Sequence, residues 1–130
     1  MKPPTAHLDP QPWPWVGQLR VLIEHPDEAT GLALASVLRG EGFAVAVCPG
    51  PAESERCPLV GPEGCAAAHG ADVVVTALGL DRPAGREVLA ALRARLPGTP
   101  LVVAADSVVD PDWLLASVRE ALAERAGDVA

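Results

Sequence analysis

The chain has 130 residues, with 10 Lys and Arg against 17 Asp and Glu, a net charge of −7 and a pI near 4.8. That length fits one domain, able to bury about 65–70 % of the surface of its unfolded chain, and a 49 % apolar share is that of a globular chain. The acidic balance without a basic stripe excludes sequence-independent nucleic-acid binding, and no apolar run reaches the roughly 18 residues of a membrane span.

Residues 1–17 hold Pro3, Pro4, Pro10, Pro12 and Pro14 and show no periodicity, so they read as a flexible tail. This segment lacks the apolar stretch of a signal peptide, and an odd number of cysteines, three, fits a reduced cytoplasmic protein. Trp13 and Trp15 stand among the prolines. They serve either as a docking element for a partner groove or as side chains folded back on the domain's own apolar surface.

The domain spans 18–125, with a short C-terminal tail at 126–130. Leu19, Val21, Leu22 and Ile23 form a brief apolar run ending at Glu24-His25-Pro26, the pattern of a strand buried on both faces. Asp27 can cap a helix whose apolar positions are Ala33, Leu34, Val37 and Leu38, ending at Gly40 and Gly42. Phe43 to Cys48 is a second strand, stopped by Pro49-Gly50-Pro51. From there to residue 70, Pro51, Pro58, Pro62, Gly50, Gly61 and Gly64 leave room for one short helical turn at Ala66-Ala67-Ala68. Asp72 to Thr76 is a third strand, Arg86 to Leu96 a helix with Val88, Leu89 and Leu92 on one face, and Leu101 to Ala105 a fourth strand. Asp110-Pro111 opens the last helix, whose buried face is Leu114, Leu115, Val118 and Leu122.

This order predicts an α/β domain with a parallel sheet and helices on both faces. Ligand chemistry in such sheets belongs at the carboxyl ends of the strands. There stand Glu24, His25, Cys48, Thr76, Ala77, Asp81, Ala105 and Asp106. Glu24, His25, Asp81 and Asp106 form a substitute acid–base or metal cluster if they converge. Otherwise Glu24 and Asp106 are solvated strand-end charges and His25 a turn residue. No GxGxxG, P-loop, GxSxG or HExxH motif occurs, so dinucleotide, nucleotide, hydrolase and zincin readings have no support.

The segments RVLIEHPDEATGLALASVLRGEGFAVAVC, ADVVVTALGL, TPLVVAAD and DPDWLLASVREAL resemble a response-regulator (CheY-like) receiver domain over about 19–124. The resemblance implies a flavodoxin-like three-layer sandwich. Receivers hold Mg²⁺ with an acidic pair after the first strand, accept a phosphoryl group on an aspartate ending the third, and read it with a hydroxyl residue and a lysine. By that resemblance the acidic pair falls on His25 and Pro26, with Asp27 just beyond, the phosphoacceptor on Ala77 and the hydroxyl on Ala105. The only lysine, Lys2, is in the tail. Phosphoryl transfer needs a nucleophile, a divalent metal and charge neutralisation together, so no phosphorylation is expected at Ala77.

The sheet is expected to have about four strands, one helix–strand unit short of a full receiver, because Asp106-Ser107-Val108-Val109 is far below the ~10–12 residues of a crossover. The apolar Leu101–Ala105 strand is then an edge, which must be covered by the last helix and the tail or by a second copy in a homodimer.

Cys48, Cys57, Cys65 and His69 follow the spacing C-x8-C-x7-C-x3-H, a Cys₃His set of the kind that holds zinc. Cys65 and His69 share a face if Ala66–Ala68 is helical. Against this, Cys48 ends a strand at the carboxyl edge while His69 precedes one at the opposite edge, roughly 16–20 Å away. A Cys57–Cys65 disulfide or three unconnected thiols are the alternatives.

Two functions follow. One is a non-catalytic, phosphorylation-independent regulatory module acting through protein–protein contacts, with no cofactor and no output domain after Leu122. The other is a metal- or redox-responsive protein whose sensor is the loop 48–69.

Overall fold

The computed structural model describes Trp13 and residues 17–51, 57–59 and 64–129, the last four by backbone alone. Trp15 and the rest of the segment read as a tail lie outside the described residues, as does residue 130. Four strands, β1 (Arg20–Glu24), β2 (Ala44–Cys48), β3 (Val73–Thr76) and β4 (Leu101–Val103), alternate with four helices, α1 (Glu28–Gly40), α2 (Ala66–Gly70), α3 (Pro83–Arg95) and α4 (Pro111–Val129). All strand pairs are parallel, in the order β2-β1-β3-β4.

Successive strand residues point to opposite faces of a sheet, and here each face has its own core. Val21, Ile23, Val45, Val73, Val75 and Val102 pack with Leu34, Ala35 and Leu38 of α1 and Leu114, Val118 and Ala121 of α4. On the other face Leu22, Ala46 and Val74 pack with Ala67 and Ala68 of α2 and Val88 and Leu92 of α3. Burial on both sides explains why the central strands are unbroken apolar runs. The chain steps outward from β1 to β2 and then returns past β1 to β3. That reversal opens a crevice at the carboxyl ends of β1 and β3.

Asp27 caps α1 as expected, accepting from the Thr30 backbone N–H at 3.1 Å. The buried stripe of α1 is Gly31, Leu34, Ala35 and Leu38, whereas Ala33 and Val37 are exposed, contrary to the expected face. The spacing i, i+3, i+4, i+7 makes one stripe, and Gly31 belongs to it because a Cβ there would stand 2.8 Å from Val47 Cγ1. Helix α3 begins at Pro83 rather than Arg86, with the proline in the first turn, where its missing N–H costs nothing. On α4, Leu114, Val118 and Ala121 are buried, while Leu115 and Leu122 are only partly so. The helix also continues to Val129, through residues read as a tail.

Residues 104–110 alone join β4 to α4, so among the described residues the sheet ends at β4. At the amino edge Asp72 ties the layers together. It accepts from the Arg20 backbone N–H at 2.8 Å and from Arg125 of α4 at 3.1 Å. Trp13 reaches the far face: its indole N–H donates to Ala67 O at 3.0 Å and the ring lies against Gly70. No helix among the described residues is long and apolar enough to cross a membrane.

Candidate functional site

Glu24 ends β1 in register with Cys48 of β2 and Thr76 of β3, so the three side chains share the sheet face covered by α2 and α3. Glu24 is not a solvated strand-end charge: it is 5 % exposed, and its Oε1 is buried with no hydrogen-bond partner among the described residues. A carboxylate at the end of an outer strand reaches water, but this one lies at the crevice between the two central strands. Burial pushes its pKa up from 4.5 to about 7, against the opposing pull of a hydrogen bond with the Thr76 side chain. Thr76 is itself buried.

Glu24, Cys48, Cys57 and Cys65 line one cavity of about 30 Å³, walled elsewhere by Leu22, Leu59, Ala68 and the backbone of Gly50. None of the three cysteines is in a disulfide, and each is partly buried. Burial pushes the Cys48 thiol up to about 12, helped by Glu24, Cys65 and Cys57 and opposed by the Gly50 N–H, which donates to Cys48 Sγ at 3.5 Å. His69 is exposed, with its ring over Gly64, and does not line the cavity. Among the described residues, no three His, Cys, Asp or Glu side chains stand together closely enough to hold a metal ion.

His25 points to the opposite face and is 2 % exposed, so it too departs from the expected solvated turn. The Asp27 backbone N–H donates to its Nδ1 at 3.0 Å. Nε2–H donates to Ser107 O at 2.7 Å, and in that neutral tautomer Nδ1, which also lies 3.1 Å from Asp27 O, accepts from the Asp27 N–H. Both ring nitrogens are thus engaged by main chain. Asp27 is exposed at the start of α1, where hydrogen bonds from the Thr30 side chain and then its backbone hold its carboxyl below the usual range.

Ala77 follows β3, buried, with its N–H donating to Glu24 O at 2.9 Å. Pro26 and Ala105 are exposed, Asp81 is exposed in the turn before α3, and Asp106 Oδ1 accepts from the Val108 N–H at 2.8 Å. The structure therefore does not bring Glu24, His25, Asp81 and Asp106 together. Neighbours on a strand face opposite ways, which separates the first two. What it does bring together is Glu24 with the three cysteines. The sequence hint for that grouping is the strand-final position of both Glu24 and Cys48; the partnership itself depends on register.

No family model matches the sequence, and no curated protein is significantly similar to it. Among solved structures, the chain is similar to a CheY-like response-regulator receiver domain protein from Methanospirillum hungatei JF-1, at 20 % identity with a TM-score of 0.66, covering 86 % of this chain and 99 % of that one. It is also similar to the receiver domain of the hybrid histidine kinase CckA, at 19 % identity with a TM-score of 0.57, covering 79 % and 98 %. With four parallel strands and four helices among its described residues, the chain has the flavodoxin-like fold of receiver domains.

Proposed function

We propose that this chain is a regulatory module of the receiver fold, non-catalytic and independent of phosphorylation, that acts through protein contacts. The observation that carries the reading is the buried methyl group of Ala77 at the end of β3, where a phosphoacceptor needs a nucleophilic oxygen. Two further features support it. The imidazole of His25 has both nitrogens engaged by main chain, which leaves no lone pair for a cation. The hydroxyl and lysine that neutralise an acyl phosphate have no counterpart at Ala105 or in the domain.

The contact surface in this reading is the outer edge of β4 with its neighbours Val108, 88 % exposed, and Trp113, 43 % exposed. Among the described residues no strand pairs with that edge. An open apolar edge favours pairing with a like edge, so a second copy of the chain is its occupant.

The test is incubation with acetyl phosphate and Mg²⁺, followed by intact mass, together with sedimentation velocity over a concentration series. No phosphoryl adduct is expected, and a dimer that Val108→Glu weakens. A stoichiometric acyl phosphate overturns phosphorylation independence. A monomer at every concentration overturns the self-contact.

A further inference from the structure

We propose that β4 pairs antiparallel with β4 of a second copy about a two-fold axis at Val102, and that Trp113 of each copy enters a groove on the other. This rests on the self-contact proposed above and gives it a geometry. The direction of the main chain sets the pairing. The Val74 N–H donates to Pro100 O at 3.1 Å and the Ala104 N–H to Thr76 O at 3.0 Å, with Val102 opposite Val75 between them. Alternate strand residues turn the same way, so Pro100, Val102 and Ala104 face β3, while Leu101 and Val103 turn N–H and C=O outward. No strand among the described residues pairs with these groups.

The outward groups complement a second copy running the other way. In an antiparallel ladder, directly opposed residues of a hydrogen-bonded pair exchange both bonds. With the axis at Val102, Leu101 of each copy stands opposite Val103 of the other, and every outward N–H meets an outward C=O. The other edge of the sheet is closed to such pairing. The Ala44 N–H donates inward to Leu19 O at 2.9 Å, so Val45 turns outward, and its main-chain oxygen is taken by the Arg39 guanidinium at 2.8 Å. A charged side chain on an edge blocks strand addition there. Pairing therefore joins β4 to β4 and closes at two copies.

Side chains along the same edge are complementary as well. On α4, Arg119 reaches Glu41 at the end of α1, at 2.6 Å. The stripe on the opposite side of that helix, Trp113, Ser117, Glu120 and Glu124 at helical spacing, therefore faces the open side of β4. Trp113 is exposed at one end of it. At the other end, the turn 97–100 and Ala121, Glu124 and Arg125 wall a groove of about 400 Å³. Antiparallel pairing sets the carboxyl end of one β4 beside the amino end of the other, which brings each Trp113 to the groove of the other copy. The charges there suit it. Arg125, held by Asp72 Oδ1 at 3.1 Å, meets the negative face of the indole, and the Glu124 carboxylate accepts from its N–H.

The test is sedimentation velocity of the full chain over a concentration series, with amide hydrogen exchange read by NMR at both ends of that series. The parent is expected to dimerise, and the Leu101 and Val103 amides to slow as it does. Val103→Pro removes an outward donor that the chain's own ladder does not use, so the monomer folds and the dimer is lost. Trp113→Ala weakens the dimer by about 10-fold or more, the scale of an interface hot spot. Leu32→Ala, exposed on α1 away from this edge, dimerises as the parent does. A parent that is monomeric at every concentration overturns the self-contact and the pairing together. A parent dimer whose Leu101 and Val103 amides exchange freely, or which Trp113→Ala leaves at parental strength, keeps the self-contact and overturns the pairing. Protection of both amides in the monomer means that the chain covers its own edge, and overturns it too. Should Val103→Pro fail to fold, the parent's amides and Trp113→Ala decide.

Discussion

The imidazole of His25 joins the loop after β1 to the loop after β4, its Nε2–H donating to the Ser107 main-chain oxygen at 2.7 Å across 82 positions of sequence. With residues 104–110 alone between β4 and α4, this connection is short, and among the described residues no strand lies beyond it to hold it in place. The buried ring supplies that anchor, and the same ring accepts from the Asp27 N–H at the start of α1. One side chain thus fixes the entries to α1 and α4, the two helices that share a face of the sheet.

His25→Ala removes both hydrogen bonds and leaves a void. The expected cost is about 3 kcal/mol, from the lost contacts and the cavity together. Urea unfolding of the parent and the variant checks it. A loss under about 1 kcal/mol, the worth of a single ordinary hydrogen bond, removes His25 from the role of anchor.

Glu24 makes stability depend on pH. Its folded pKa of about 7 lies above the 4.5 of the free side chain, raised by burial against the opposing Thr76 hydrogen bond. Cys48, Cys57 and Cys65 face it across the cavity, and the Cys48 thiol, pushed up to about 12, stays protonated throughout this range. Between the two values the folded chain holds a proton that the unfolded chain has released. The contribution is therefore fully present below pH 4.5 and is lost as pH rises through 7, by up to ~3 kcal/mol. Chemical unfolding at pH 5, 6, 7 and 8 is expected to show this fall for the parent and a flatter profile for Glu24→Gln. Parallel profiles count against it.

The Trp13 side chain packs on α2. Trp13→Phe drops the indole hydrogen bond to Ala67 O and is expected to cost about 1 kcal/mol. Trp13→Ala removes the ring as well and is expected to cost about 2 kcal/mol, less than a fully buried tryptophan. Equal unfolding midpoints for the parent and both variants mean that the ring is not held there.

Gly85 reverses the usual rule that alanine improves a helix by ~1 kcal/mol over glycine. In α3 its added Cβ would lie 2.1 Å from the main-chain oxygen of Gly79, so the helix must move off the loop that follows β3. Gly85→Ala is expected to cost at least about 2 kcal/mol. Gly40→Ala, at the end of α1 with open space around it, serves as the control and should be neutral or slightly stabilising. Thermal unfolding of the pair gives the sign directly.

The apolar runs at 21–23 and 73–75, buried on both faces, and the proline and glycine breaks between helices sufficed for four parallel strands and the receiver-like order of elements. These signals are local: a run of valines states its own burial, and Asp27 before a helix states its own cap. The short link before α4 was equally legible, because a crossover has a minimum length. The alanines at positions 77 and 105 were also plain in the sequence, since the chemistry of an alanine does not depend on where it sits.

What the tertiary structure decided is the environment of the polar residues. Glu24 and His25 are neighbours with the same apparent exposure in sequence, yet strand alternation sends one to the cavity with the cysteines and the other to Ser107. The spacing of Cys65 and His69 suggested a shared helical face, but α2 presents Cys65 to the cavity and leaves His69 outside on Gly64. Composition and spacing report which donors a chain has. Only register and packing decide which of them meet, because that depends on residues brought together from distant positions, as Glu24, Cys48 and Cys65 are here.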